Sequence, residues 1–268
     1  MDRVGVERLC VFGMPPVEFV HMAADIGVSW IGVGSTAMQY YNPDNYSYWS
    51  LRDDPALVRE TRTALRDRGV GISLMEGFRI HPDFDLADYG RDMDMLLSLG
   101  GRRFNAASTV KDRNQALDGF ATLAEMAEKR GLEMTMEIAQ PPNINLKASL
   151  ETLAYVKRPN CKLLIDTMHY FRFGGSVKEI DELDKSLIGY IQLADVPLIS
   201  KFQSYFEEAL YDRKPPGEGE LPLREFLALI PRDVIVSVEI PERARQLAGM
   251  GTKERVATCI AAARRILP

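Results

Sequence analysis

Four times along the chain a helix-like segment ends on a glycine and an apolar run follows almost at once. The stretches are Ala24-Asp25-Ile26-Gly27-Val28, Arg66-Asp67-Arg68-Gly69-Val70, Leu97-Ser98-Leu99-Gly100-Gly101 and Glu128-Lys129-Arg130-Gly131-Leu132. A glycine just past a helix takes the left-handed backbone conformation at little cost and releases the chain into the next strand. Gly69, Gly100 and Gly131 follow one another at intervals of 31 residues, about the length of one strand-plus-helix unit. Gly27 precedes Gly69 by 42 residues, and the excess is a polar, aromatic insertion.

Between these marks the periodicities agree with the repeat. Ala116, Phe120, Leu123 and Ala127 fall on one helical face, as do Tyr89, Met93 and Leu96, and Val256, Ile260 and Ala263. The strands read as unbroken apolar runs, Leu163-Leu164-Ile165, Tyr190-Ile191 and Val234-Ile235-Val236, as parallel strands buried on both faces do. Eight strands are expected, starting near Arg8, Ser29, Val70, Arg102, Glu133, Cys161, Leu187 and Asp233. Eight alternating units over 268 residues predict an α/β fold, a (β/α)8 TIM barrel forming a single domain over residues 1–268. The competing open, doubly wound sheet lacks the glycine-rich phosphate loop that usually follows one of its strands.

Composition narrows the partners. The net charge is −5, with 33 basic and 38 acidic residues interspersed, which argues against a nucleic-acid partner, since phosphate neutralisation needs a basic stripe. The first residues hold no apolar core of signal-peptide length, and no apolar run approaches the roughly 18 residues of a membrane span. Cys10, Cys161 and Cys259 each sit in an apolar run and read as buried thiols of a reducing, cytoplasmic compartment.

Four apolar runs end on an oxygen-bearing side chain: Met134-Thr135-Met136-Glu137, Leu163-Leu164-Ile165-Asp166, Gly189-Tyr190-Ile191-Gln192 and Val236-Ser237-Val238-Glu239. A single carboxylate in such a place is commonly a helix N-cap or a solvated rim residue. One per unit, at the same end of four successive parallel strands, converges on the barrel mouth, where barrel enzymes build their sites. Three carboxylates at close range repel one another unless a cation neutralises them. An all-oxygen set favours Mg2+ or Mn2+, so one divalent ion on Glu137, Asp166, Gln192 and Glu239 is expected. His169, three residues after Asp166, is placed as an acid/base or a substrate hydrogen-bond donor. Glu76 is a candidate substrate contact at the end of the third run, and Asp195 either orients a ligand or caps the next helix. His21 reads as an ordinary outer-helix residue. Two insertions, residues 34–54 and 196–221, lie on the same side. The first carries Tyr40, Tyr41, Tyr46, Tyr48 and Trp49 and suits a lid or an oligomer interface; the second carries Arg213 and Pro216-Gly217-Glu218-Gly219. Arg243, Arg245 and the Gly249-Met250-Gly251 stretch follow the eighth strand, where barrels often hold phosphate, and are open to that use or to ordinary exposure.

At Met136-Glu137-Ile138, Leu164-Ile165-Asp166-Thr167-Met168-His169, Ile191-Gln192-Leu193-Ala194-Asp195, Arg213 with Pro216-Gly217-Glu218-Gly219, and Val238-Glu239-Ile240, the chain resembles the xylose isomerase-like TIM-barrel superfamily of sugar phosphate isomerases and epimerases. The resemblance covers nearly the whole chain. It implies metal ligation by Glu137, Asp166 and Glu239, with Gln192 where the family commonly has histidine. That departure resembles the branch that includes metal-dependent 3-dehydroshikimate dehydratases. The resemblance further implies that Glu137 and Glu239 double as the proton-transfer pair, and that His169 and Arg213 contact substrate oxygens.

The expected activity is therefore a divalent-metal-dependent isomerase or epimerase acting by proton transfer next to the carbonyl of a polyhydroxylated, sugar-like small molecule. The alternative is a dehydratase that expels a β-hydroxyl, with His169 as acid. An apurinic-site endonuclease with the same barrel would typically hold three metals and more histidines than the three present. A non-catalytic binding barrel is the remaining reading.

Overall fold

The computed structural model describes residues 2–139 and 142–268. Eight parallel strands close on themselves in chain order: β1 (Val4–Val6), β2 (Trp30–Gly34), β3 (Gly71–Ile80), β4 (Arg103–Ser108), β5 (Glu133–Glu137), β6 (Cys161–Asp166), β7 (Ile188–Leu193) and β8 (Val236–Val238). β1 pairs with β8 to complete the ring. Outside lie α1 (Pro16–Asp25), α2 (Pro55–Arg68), α3 (Tyr89–Ser98), α4 (Arg113–Glu128), α5 (Leu146–Val156), α6 (Thr167–Arg172), α7 (Val177–Glu182), α8 (Tyr205–Tyr211), α9 (Leu223–Ala228), α10 (Arg243–Leu247) and α11 (Thr252–Ile266).

The repeat marks behave as their chemistry requires: Gly27, Gly69, Gly100 and Gly131 have φ of 71, 64, 84 and 68°. The apolar faces of α3, α4 and α11 named above are buried against the sheet. Truncating such a residue, Phe120→Ala for instance, would cost about 3–5 kcal/mol. All three cysteines are free and buried.

Two strand expectations are corrected. The first strand is Val4–Val6, and Arg8–Val11 forms a 3-10 turn. A three-residue strand carries too little pattern to signal itself, and the following Leu9-Cys10-Val11-Phe12 run is apolar because it packs beneath the mouth, with Phe12 and Gly13 turning through φ of 44 and 91°. The third strand does not end at Glu76 but runs on to Ile80. Its register against β4 shifts between Met75 and Phe78, around Gly77 at φ 111°, so Glu76 sits at a bulge that re-aims the strand.

The barrel interior is filled from alternate strand positions. Leu74, Leu164 and Tyr190 form an inner apolar cluster with Ile235 against it. The Tyr190 hydroxyl donates to Glu7 Oε1 at 2.6 Å and shares a 2.8 Å bond with Ser73 Oγ. β2, Trp-Ile-Gly-Val-Gly, contributes two glycines where its neighbours are large. A Cβ on Gly32 would lie 1.7 Å from Glu7 Oε2, and one on Gly34 would lie 1.4 Å from Arg8 Nη1.

Candidate active site at the strand ends

Asp166 is fixed from both sides. Its Oδ1 caps α6, accepting the His169 backbone N–H at 3.0 Å. Its Oδ2 accepts from Arg213 Nη1 at 2.6 Å. The strand-end cap and the site carboxylate are thus one residue, with one oxygen in each role. Thr167 Oγ1 donates to the Ala194 carbonyl at 2.7 Å and accepts the Ala194 N–H at 2.9 Å, which pins the end of β6 to the end of β7. Asp166 and Gln192 are register partners across that pair.

Glu137 closes β5, and Glu239 stands one residue beyond β8. Arg213 Nη1 also donates to Glu239 Oε2 at 2.7 Å, so one guanidinium nitrogen lies between two carboxylates. Gln192 Nε2 donates to Glu239 Oε1 at 3.1 Å and to Glu76 Oε1 at 3.2 Å, and its Oε1 accepts no hydrogen bond from the described residues. His169 Nε2 lies 3.3 Å from Glu137 Oε1, and its Nδ1 shares a 2.5 Å hydrogen bond with the Tyr205 hydroxyl. Asp166, Gln192, Glu239, His169 and Arg213 are all buried.

Burial and crowding set the charges. Desolvation, then the charges of Asp166 and Glu76, push the Glu137 carboxyl up to about 8. Desolvation likewise holds Glu239 well above the ordinary carboxylate range, against the pull of Arg213. Burial would raise Asp166 as well, but the Arg213 and His169 charges and the hydrogen bonds outweigh it and hold Asp166 below its usual value. Burial pushes the His169 imidazole down to about 4. Burial works against the Arg213 cation too, and Asp166 and Glu239 more than compensate. Among these buried groups Arg213 is the positive charge that bonds the carboxylates directly.

One ligand atom each from Glu137, Asp166 and His169 lie within 4.8 Å of one another. The compact triad therefore includes His169, while Gln192 and Glu239 stand beside it through the Asp166–Arg213–Glu239 bridge. Glu76 reaches the mouth through Gln192 and faces Arg8 Nε at 3.9 Å. Arg213 is bound to the carboxylates themselves. Asp195 ties the second insertion, accepting from the N–H groups of Val196, Gly217 and Leu221. Arg243 pairs with Glu207 and Asp212, and Arg245 with Glu218 and Glu242, so carboxylates take up both arginines. His21 is exposed on α1 and His81 is half-exposed.

The two insertions meet. Tyr40 and Tyr41 of the first pack edge-on against Tyr211 of the second at 6.4 and 5.6 Å, and Arg243 lies 4.3 Å over the Tyr211 ring. Two residues at the mouth escaped the sequence reading. Tyr205 opens a short helix inside an insertion, and only its place on the βα side hinted at a role. Arg8 was absorbed into the misplaced first strand.

A family model described as xylose isomerase-like TIM barrel matches residues 20–258. The chain belongs to the xylose isomerase-like TIM barrel family. It is 26% identical over 188 residues to a 3-dehydroshikimate dehydratase of Pseudomonas putida, covering 64% of this chain and 29% of that protein. It is 25% identical over 175 residues to a Streptomyces coelicolor protein assigned provisionally as hydroxypyruvate isomerase, covering 60% of this chain and 58% of that one. The chain thus spans less than a third of the dehydratase. Among solved structures, the IOLI protein with a bound zinc atom superposes with a TM-score of 0.79 at 16% identity, covering 98% of this chain and 97% of the other. A D-psicose 3-epimerase crystallised in the presence of D-fructose gives 0.73 at 15%, covering 98% and 99%. These structural likenesses establish the shared barrel. No helix among the described residues is long and apolar enough to cross a membrane.

Proposed function

We propose that the protein is a divalent-metal-dependent isomerase or epimerase that moves a proton next to the carbonyl of a polyhydroxylated small molecule. The observation that carries this is the half-ring of donors from β5 to the end of β8: Glu137, Asp166 with His169, Gln192 and Glu239. The donor chemistry fits a hard cation. Three carboxylates and a free amide oxygen face a mouth where the buried Arg213 already bridges two of them. Glu137, Asp166, Gln192 and Glu239 would hold the ion, with His169 adjacent. Mg2+ or Mn2+ would, when bound, place positive charge beside the carbonyl oxygen and make the neighbouring C–H more acidic.

The chain's own groups supply the rest. Glu137 and Glu239 rise from strands three places apart in an eight-strand ring, so they reach a bound carbon from different sides. One carboxylate takes the proton and the other returns it. Return to the opposite face inverts the carbon, and return to the neighbouring carbon isomerises the substrate. Asp166 holds Arg213, whose remaining donors and the His169 imidazole orient substrate oxygens. The Tyr40–Tyr211 contact brings the two insertions together beside the mouth, which favours the lid use of the aromatic loop over an oligomer interface.

The similarity to the dehydratases, together with Gln192, favours one second reading: the same C–H removal followed by loss of a β-hydroxyl, with His169 assisting the departing water. The readings are separated on Mn2+-loaded protein. NMR in D2O with D-fructose, D-psicose and hydroxypyruvate should show solvent deuterium entering beside the carbonyl. Glu137→Gln and Glu239→Gln should each slow that exchange by about 10²–10⁴-fold. 3-Dehydroshikimate yielding an ultraviolet-absorbing aromatic product selects the dehydratase. Absence of both signals overturns proton-transfer chemistry.

A further inference from the structure

The donor half-ring occupies β5 to β8, and the other side of the mouth is furnished differently. Arg8 opens the turn after β1, and the Nη1 end of its guanidinium abuts the last residue of β2. A Cβ on Gly34 would be 1.4 Å from Nη1 and 2.4 Å from Cζ, so it occupies space that only glycine leaves. The Arg8 side chain is 18% exposed, and its approach to Glu76 Oε2, 3.9 Å from Nε, is too long for a hydrogen bond. Among the described residues no acceptor takes any of its five donors. Glu76 spends its Oε1 on Gln192 instead. The contrast with Arg213 is direct, since that guanidinium is bound by Asp166, Glu239 and the Ala209 carbonyl. The half-exposed Tyr40 stands by, its phenol within electrostatic reach of Arg8, Glu76 and Glu239.

A mostly enclosed guanidinium with unspent donors, beside the Glu76 carboxylate that Gln192 bonds at the strand ends, calls for an anionic oxygen pair. We infer that Arg8 is a specificity residue that binds a carboxylate on the substrate, making the substrate class hydroxy- or keto-acids rather than neutral sugars. A carboxylate matches the planar fork with two parallel bonds. It also carries a single charge, whereas a phosphate dianion would meet more repulsion from Glu76, Glu137, Asp166 and Glu239. The acid group would then lie toward β1 to β3 and the reacting carbon toward β5 to β8. This inference rests on the mouth being a substrate site, as proposed above, but not on the reaction performed there.

The test is calorimetric binding of three carbonyl-free probes to the full chain, D-gluconate, D-glucitol and D-glucitol 6-phosphate, none of which can undergo the proposed proton transfer. Wild type should bind gluconate at least about tenfold more tightly than either other probe, the size of one charge-assisted contact. Arg8→Gln should remove that preference and leave glucitol binding unchanged, and Arg8→Lys should restore part of it. Gly34→Ala, which displaces the guanidinium without deleting it, should also weaken gluconate, with unaltered melting showing that the fold persists. Absence of saturable gluconate binding, tighter binding of the phosphate, or an equal loss for all probes in Arg8→Gln overturns the inference. Selective gluconate binding without deuterium exchange in any carbonyl compound would overturn the proton-transfer reading alone.

Discussion

Glu7 is a carboxyl shut away from the protein surface. It lies fully buried where β1 ends, accepts from Tyr190 at 2.6 Å and presses its other oxygen against Gly32. Desolvation first, then the charge of Glu76, push it up from 4.5 to about 8. A carboxyl that holds its proton more tightly in the folded chain favours folding only while protonated. Its effect on stability is therefore level below pH about 4.5, declines as pH rises to about 8, and is level again above. Inside that window the decline is at most about 1.4 kcal/mol per pH unit. Glu7→Gln keeps the shape and removes the titration. Urea unfolding at pH 5 and pH 8 should show the variant losing less stability than wild type between the two, by roughly 1 kcal/mol or more. Parallel losses in the two proteins would refute the assignment. Glu137 and Glu239 titrate in the same direction, and comparing variant with parent cancels them.

At the scale of the element, β2 shows how small residues position large ones. Gly32→Ala would put a methyl into the Glu7 carboxyl, which Tyr190 holds in a sealed interior, and should destabilise the protein by about 1–3 kcal/mol. Gly34→Ala meets only the far end of Arg8, which can swing away toward the mouth, so its cost should stay within about 0.5 kcal/mol. Chemical denaturation of the two variants decides, and equal losses would mean the Glu7 side chain is free to move. The same contrast explains what was legible in the sequence. Gly27, Gly69, Gly100 and Gly131 announced the repeat because a helix end needs a left-handed residue locally, and the helix faces followed from period alone. β1 was misplaced because three residues carry no periodicity, and β3 was cut short because Glu76-Gly77 at its bulge interrupts the apolar run. Glu137, Asp166, Gln192 and Glu239 could be read as a set because each ends an apolar run at or next to a strand end. The partners of Arg213 could not, since its bonds to Asp166 and Glu239 cross 47 and 26 positions of chain and no local pattern encodes them.

Across the whole molecule the charge balance of the mouth links folding to binding. Glu137, Asp166 and Glu239 come from three of four consecutive strands; Asp166 and Glu239 share the buried Arg213, while burial keeps His169, beside Glu137, from adding positive charge. A folded chain that brings these groups together would bind the proposed cation, and the unfolded chain would not. The proposed ion should therefore stabilise the native state by mass action, about 2.7 kcal/mol at a hundred times its Kd. At about 2–4 °C per kcal/mol for a chain of this size, Mn2+ should raise the melting temperature by roughly 5–10 °C, and a chelator should reverse the gain. Glu137→Gln removes one donor and one negative charge, and because the carboxyl is costly to ionise in the apo protein, the variant should melt no lower than wild type without metal. With Mn2+ it should gain far less. The two melting curves, with and without metal, thus separate a lost ligand from a damaged fold. A wild-type melting temperature indifferent to Mn2+, Mg2+ and chelator would show that Arg213 alone neutralises the mouth.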